Sequence, residues 1–469
     1  MKDYDLIVIG TGSAMNIVDP IMQAKPEWKI AVIDKDEPGG ICLTRGCIPS
    51  KLLLYPAELI REIGTAHTFG IDVEIKDIDF KNVMERMRTQ ISEKIDTIRK
   101  GLSGDKNIDY YPEVAEFVAP YTLKVGSETI TSKMIFLCTG SKTLIPPVKG
   151  LDTIPYLTSD TLLAMTLLPE SIVIIGGGYI AAEYGHFFSA MGSQVTIIGR
   201  NPRFIPEEEP EVSALAKKVM SEYLDLVTDH EVIEVTTSAD GLKKVIAKDR
   251  TSGKEIIVDA QEVLVATGRG SNTDILHPEK GGIQTDSNGW IVVNDYLETS
   301  QPNIWALGDA NGKYLFKHVG NYESTLVYYN AILGKKEKAD YHAVPHAVFS
   351  YPEIASVGLR EKEAIDTVGE DNVLIGFQRY EDTAKGMAMN VKDYFAKVIV
   401  EAHTYRILGA HIIGPHASVL IHEIIPLMYT PQQSARPILD GMVIHPALNE
   451  VVSWAFSSLM PAEHYHHRH

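Results

Sequence analysis

Short runs of consecutive apolar residues, several of them closed by glycine, punctuate the chain and predict strands buried on both faces. "LIVIG" (6–10) leads through a glycine turn into a helical pattern, and "WKIAVID" (28–34) predicts the next strand, ending on Asp34. In "DFKNVMERMRTQISEKIDTIRKGL" (79–102) the apolar residues Met84, Met87, Ile91, Ile95 and Ile98 fall on one stripe with charges opposite. That spacing predicts a long amphipathic helix whose stripe serves packing. Near Thr158 the grammar restarts: "SIVIIGGGYIAAEYGHFFSAMGSQVTIIGR" (171–200) is again strand, glycine turn, helix, strand. The chain therefore contains a diverged duplication of one βαβ unit. A third block, "TSQPNIWALGDANGKYLFKHVGNYES" (299–324), predicts strand, tight turn and helix. From about His342 short strands and helices follow without glycine-rich turns, which marks a different domain.

A chain of 469 residues exceeds one ordinary core. The pattern divides it into 1–150, 151–268, 269–340 (returning to the first unit) and a terminal α+β domain at 341–469. A formal charge of −18 argues against nucleic acid and against anionic membranes. No stretch has the apolar length to span a bilayer, and "LIVIG" lacks the basic leader of a secretory signal. Three cysteines form no extracellular disulfide framework, so the expected compartment is the cytoplasm.

Gly10 and Gly12 directly after a strand let the backbone turn tightly and approach a pyrophosphate, which the following helix N-terminus attracts. Asp34, 22 residues after Gly12, is spaced to accept ribose hydroxyls. Met15 stands where a third glycine is usual, and Pro20 is expected to interrupt the helix early. The second unit has Gly176 and Gly178, with Ala181 at the third position. Its second strand ends Ile198-Gly199-Arg200-Asn201-Pro202-Arg203, with no acid to grip a ribose diol. Arg200 and Arg203 suit a 2′-phosphate instead, which favours NADPH over NADH. Two dinucleotide sites in one chain imply electron transfer between two carriers.

"PGGICLTRGCIPSK" (38–51) holds Cys42 and Cys47 with Gly46 between them. In a regular helix residues five apart are separated by about 7.5 Å along the axis, beyond disulfide reach. Only a distorted turn, which Gly46 permits, lets the two meet. A metal site is disfavoured because the remaining cysteine, Cys138, stands alone in "MIFLCTGS". Spacing alone leaves a redox pair and a merely buried pair both open.

"GGICLTRGCIPSK" resembles the redox-active disulfide segment of the class I pyridine nucleotide–disulfide oxidoreductases. "GGGYIAAEYG", "VLVATGR", "NIWALGDA", "VFSYPEIASVGL" and "IHPALNEVVSWAF" resemble further segments of that family, in its order. The resemblance implies an α/β fold with two Rossmann-like domains, for FAD (1–150 and 269–340) and NAD(P) (151–268), plus a C-terminal α+β dimerisation domain. It implies that Gly10, Gly12, Asp34, Gly40, Thr139, Gly140, Gly268, Gly308 and Asp309 hold cofactor and that Tyr179 covers the nicotinamide pocket. Lys51 and Glu183 would pair beside the flavin. Cys47 would face the flavin while Cys42 exchanges with substrate. His445, oriented by Glu450 and followed by a cis bond to Pro446, would act as acid and base in the partner subunit's site. The implied enzyme is a homodimer with shared active sites.

Residues 442–469 contain no cysteine, which sets aside mercuric reductase and the thioredoxin reductases that carry a C-terminal redox pair. "GTGSAMNIVD", "YLFKHVGNYES" and "IHPALNEVV" are most similar to mycothione reductase and related reductases of small disulfides. The alternative is dihydrolipoamide dehydrogenase, linked to NAD+ and NADH, but Gly199 replaces its usual strand-end acid. Thr44 and Arg45 depart from both, and Arg45 is either a contact for an acidic disulfide or a solvated loop arginine. A non-catalytic flavoprotein would not account for Cys42, Cys47, His445 and Glu450 together. His464, His466, His467 and His469 are read as a disordered end without a role.

Overall fold

The computed structural model describes residues 1–468. Each βαβ unit is built on a five-stranded parallel sheet. In the first, the strands run in the order Ile304–Ala306, Ile135–Leu137, Leu6–Ile9, Ile30–Ile33, Ile108–Tyr111. In the second the order is Leu157–Thr158, Glu262–Val265, Ser171–Ile175, Gln194–Ile198, Asp225–Val227. The glycine-turn strand lies in the middle of both, and Leu6–Ile9 and Ile30–Ile33 are buried throughout, as uniformly apolar runs require. An antiparallel meander is appended to each unit, at residues 115–132 in the first and 230–260 in the second.

Helix α1 (Met15–Ala24) leaves the first turn and helix α2 (Gly40–Thr44) carries Cys42. Helix α3 (Cys47–Thr65) opens on the second cysteine, and α4 (Phe80–Gly104) is the long amphipathic helix. Met84, Met87 and Ile91 of its stripe are buried, while Ile95 and Ile98 pack partly buried against the core. Helix α5 (Tyr179–Met191) leaves the second turn and α6 (Pro210–Met220) follows its second strand. Helix α7 (Lys317–Val327) returns to the first unit. Pro20 does not end α1: it removes one backbone donor, and burial of Ile17, Val18 and Ile21 carries the helix on to Ala24.

The C-terminal domain is a six-stranded antiparallel sheet with one face covered by the helix Glu450–Ser457. Residues 462–468 form a helix with Tyr465 buried, and His466 Nε2 lies 2.6 Å from Glu361, so this end is ordered. His469 lies outside the described residues. Among these, no helix is long and apolar enough to cross a membrane.

Candidate active site

The two glycine turns are made by the same contact. Gly10 has φ +101°, and a Cβ there would overlap the Cys138 carbonyl; Gly176 has φ +137° and faces the Ala266 carbonyl identically. A Cβ on Gly40 would collide with the Cα of Gly12, so two backbones meet there. Asp34 Oδ2 accepts from the Thr11 backbone N–H at 2.8 Å and the Thr11 hydroxyl at 2.5 Å, and these bonds fix the carboxylate at the strand end.

Gly10, Thr11, Gly12, Asp34 and Gly40 line a cavity of about 710 Å³. It gathers Gly10, Gly12, Asp34, Gly40, Cys42, Cys47, Lys51, Thr139, Gly140, Tyr179, Glu183, Gly308 and Asp309. Gly176, Gly178, Arg200, Arg203, Gly268, His445 and Glu450 lie outside its lining.

Gly46, with φ −132° and ψ −116°, packs on Ile41 and folds the chain so that Cys47 returns to Cys42. Both are free thiols joined by a side-chain hydrogen bond. That bond, helped by the positive charge of Lys51 and opposed by burial, brings Cys47 down to about 7. The same bond and burial push Cys42 up, so of the two thiols Cys47 ionises more readily. Cys47 also opens α3, whose N-terminus favours a thiolate. Arg45 lines the same cavity and is not a free loop cation: it pairs with Asp36 at 2.6 Å and Asp160 at 3.3 Å, tying the cysteine loop to the second unit.

One turn along α3, Lys51 Nζ sits 2.8 Å from each oxygen of Glu183 on α5. Glu183 is 6% exposed and also accepts the Phe349 backbone N–H at 3.1 Å. Lys51 lies over the Phe349 ring, 4.4 Å from its centroid. Phe349 escaped the sequence reading because its role depends on the C-terminal domain docking against α3 and α5. Burial pushes the neighbouring Tyr179 phenol up to about 12.

On the opposite wall Asp309 accepts from the Ser141 hydroxyl, which Arg269 Nε holds at 2.7 Å. Burial raises the Asp309 carboxyl. Fully buried Glu323 accepts from the Gly308 N–H at 2.5 Å, Asn311 Nδ2 at 3.0 Å and the Tyr341 hydroxyl at 2.6 Å. It pins the turn that presents Asp309. Only its place in "GNYES" hinted at this, since a glutamate in a helical pattern reads as surface. The Thr139 hydroxyl is buried without a hydrogen-bond partner among the described residues, an orphan that a polar ligand would satisfy. Gly140 and Gly268 have φ +67° and +111°.

At the second turn Gly178 is open, since a methyl group there would touch no atom of the described residues, and Gly177 approaches Gly199. Arg200 is 67% exposed, and its side chain reaches Glu231 at 3.9 Å. Arg203 lines a second cavity of about 590 Å³, whose lining does not include Arg200.

His445 Nδ1 lies 2.8 Å from Oε1 of buried Glu450, whose carboxyl this bond holds below its usual range. The His445–Pro446 bond is cis. His445 is 67% exposed beside Met442 and Ile444, which are 104% and 75% exposed.

A family model described as pyridine nucleotide-disulphide oxidoreductase matches residues 4–331, and that family's dimerisation domain matches residues 344–456. Mycothione reductase of Mycobacterium tuberculosis is 34% identical over 98% of this chain and 100% of its own length. Dihydrolipoyl dehydrogenase of Synechocystis is 32% identical over 97% and 98%. The solved structure of the HOCl-induced flavoprotein disulfide reductase RclA of Escherichia coli, as a Cu(II) complex, superposes with a TM-score of 0.86. It is 26% identical and covers 97% of this chain and 99% of its own. With the duplicated turns, the paired cysteines and the C-terminal domain in place, this chain belongs to the pyridine nucleotide-disulphide oxidoreductases, FAD-dependent flavoproteins that act on sulfur groups.

Proposed function

We propose that this enzyme uses NADPH to reduce a low-molecular-weight disulfide through Cys42 and Cys47. The observation that carries this reading is the meeting of the Cys42 and Cys47 thiols in one cavity with the Lys51–Glu183 ion pair. The cavity suits FAD: two glycine backbones meet at its floor, α1 turns an uncapped N-terminus to it, and Thr139 offers an unpaired hydroxyl. Gly10, Gly12, Asp34, Gly40, Thr139, Gly140, Gly308 and Asp309 would hold that cofactor. Bound there, FAD supplies two-electron chemistry between a nicotinamide and the cysteines.

The residues divide the remaining work. Lys51, fixed by Glu183, favours the Cys47 thiolate. Cys42, once deprotonated, attacks the substrate disulfide and forms a mixed disulfide; Cys47 then attacks Cys42 and expels the second thiol. His445 of the partner subunit, oriented by Glu450, carries the proton from Cys42 to the first leaving sulfur. The exposed apolar residues beside His445 suit burial in such an interface.

NADPH is favoured by Arg200, because Gly199 offers no carboxylate to a ribose diol. Similarity to mycothione reductase supports a small disulfide as substrate; similarity to dihydrolipoyl dehydrogenase keeps NAD+-linked oxidation of dihydrolipoyl groups as the second reading. Anaerobic stopped-flow reduction of the bound flavin by NADPH and by NADH, compared as rate over Kd, decides between them. NADPH preference that disappears in Arg200→Ala supports the proposal; NADH preference in the wild type overturns it in favour of the dihydrolipoyl reading.

A further inference from the structure

Of the lysines and arginines lining the redox cavity, Lys35, Arg45 and Lys51 each lie within 2.9 Å of a carboxylate. Arg269 donates to the Ser141 hydroxyl, which donates in turn to Asp309. Lys317 is different: its ammonium donates to the Ser13 hydroxyl at 3.0 Å, and among the described residues no carboxylate stands in ion-pair range. The place is also unfavourable to a cation. Lys317 is half-buried on the first turn of α7, where Phe316 supplies no side-chain cap and the helix N-terminus repels positive charge. Burial lowers its ammonium below the usual lysine range. Packing alone does not call for a charge here.

Backbone contacts connect this ammonium to the cysteine loop. Ser13 follows Gly12 in the first glycine turn, and a Cβ on Gly40 would strike the Cα of Gly12. Gly40 opens α2, and Cys42 lies two residues on in the same short helix. From the other side a Cβ on Gly320 would meet the Ser13 side chain, so α7 is held closely against the same turn. Lys317, Cys42, Cys47 and Cys138 accordingly line one cavity.

All three cysteines of the chain act on the Lys317 charge, Cys42 most strongly, and each favours it against burial. The influence is mutual. At Cys42 the hydrogen bond to Cys47, burial and the Cys47 charge oppose ionisation, while Lys317 and the Cys47 backbone favour it. At Cys47 the favouring cation is Lys51, and Glu183 offsets it. Each thiol thus has its own lysine, and the lysine acting on Cys42 is the one without a carboxylate. The cavity histidines do not take its place: His346 is bound to Glu208, His422 to the Ser418 carbonyl, and burial lowers His318.

We propose that Lys317 supplies the counter-charge of the Cys42 thiolate and so readies that sulfur to attack the substrate disulfide. This rests on the disulfide-reducing reading, whose balance is NADPH + H+ + RSSR → NADP+ + 2 RSH. Lys317 is a positioning residue: it acts through Cys42 and touches no substrate atom. The Cys42 S–H bond breaks, its proton passes to His445 of the partner subunit, and the sulfur bonds to one substrate sulfur as the substrate S–S bond breaks. The departing sulfur takes the bonding pair and that proton. Cys47, as thiolate, then bonds to Cys42, and the second substrate sulfur leaves as a thiolate that takes a proton from solvent. The cysteine pair is thereby oxidised and the substrate reduced by two electrons. Lys317 offsets the charge at the step where Cys42, the thiol less ready to ionise, must carry it.

The test uses FAD-loaded enzyme, reduced with dithiothreitol and then freed of it, in a Cys47→Ser background that leaves Cys42 the one thiol of the pair. Alkylation by iodoacetamide, followed at the Cys42 peptide by mass spectrometry across pH, reads the Cys42 midpoint. Lys317→Gln keeps a donor for Ser13 but no charge. It should raise that midpoint by about one pH unit, the low end of what one opposite charge produces. Alkylation at neutral pH should slow about threefold, once the greater nucleophilicity of the more basic thiolate is counted. Lys317→Arg should restore both. A midpoint that stays in place in FAD-loaded Lys317→Gln overturns the proposal, and so does loss of FAD from that variant, which would assign the charge to the cofactor. With both cysteines native, wild-type enzyme that reduces neither bis-hydroxyethyl disulfide nor dithiobis-nitrobenzoate with NADPH overturns the disulfide-reducing reading, whereas the titration decides the charge on Cys42 independently of it.

Discussion

Removing the Cys42 thiol tests the division of charge between the two cysteines. The hydrogen bond from Cys42 is the largest influence lowering Cys47 to about 7. In Cys42→Ala that donor, the largest of the lowering influences, is lost; burial and Glu183 still oppose the charge, and Lys51 and the backbone at the α3 N-terminus remain to favour it, so Cys47 moves up towards the ordinary thiol value of 9.0. At pH 7 the thiolate then falls from about one half of the molecules to about one hundredth. Each remaining thiolate is more nucleophilic, by roughly tenfold for two pKa units at a Brønsted slope of 0.4–0.5. The net prediction is a fall of about fivefold in Cys47 alkylation by iodoacetamide near neutral pH, reversing to a gain in strong base where both proteins are ionised. Alkylation of reduced enzyme, followed at the Cys47 peptide by mass spectrometry across pH, measures both limbs. A variant with an unmoved midpoint would show that Lys51 and the α3 N-terminus, rather than the neighbouring thiol, hold the charge.

Two glycines of the nucleotide turns should respond in opposite ways. Gly10→Ala drives a methyl into the Cys138 carbonyl at positive φ and should destabilise the fold by about 3 kcal/mol or more, with loss of FAD, read by thermal melting and flavin content. Gly178→Ala meets no protein atom and should melt normally and keep its FAD, yet bind NADPH more weakly; an unchanged nucleotide affinity would remove Gly178 from that site. Glu450→Gln frees His445 to rotate and should cut disulfide turnover at least tenfold with FAD reduction by NADPH unaffected, which stopped-flow separates from steady state. Mixed dimers of Cys42→Ser and His445→Gln chains should recover activity that neither variant shows alone; recovery failing in proven mixed dimers would mean the histidine does not act across subunits.

Local pattern carried the architecture. Uniform apolar runs closed by glycine announce parallel strands leading into turns, and the same signal occurring twice exposes the duplication before any contact is known. The cysteine loop was legible for the same reason, since Gly46 and both sulfurs lie within one short segment. What stayed hidden depends on distant segments meeting. Arg45 reads as a free loop cation until Asp36 and Asp160 close on it, and Pro20 reads as a breaker until the burial of Ile17, Val18 and Ile21 outweighs one lost hydrogen bond. Histidines at the C-terminal end read as a tail until His466 meets Glu361. Phe349, Arg269 and Glu323 carry no local signature, because each meets its partners more than a dozen residues away in the chain.

The junction of Lys51, Glu183 and Phe349 draws one residue from each of three separate parts of the polypeptide. A chain grown to about 340 residues (by order of magnitude, some tens of seconds into synthesis) has both nucleotide folds, the strand Ile304–Ala306 and helix α7 included, but not the segment that completes this corner. The half-made chain thus exposes a carboxylate without its backbone donor and a lysine without its aromatic cover. Electron-transfer competence is in this sense the last property the nascent molecule acquires, and a prematurely terminated product is held short of it by its own topology.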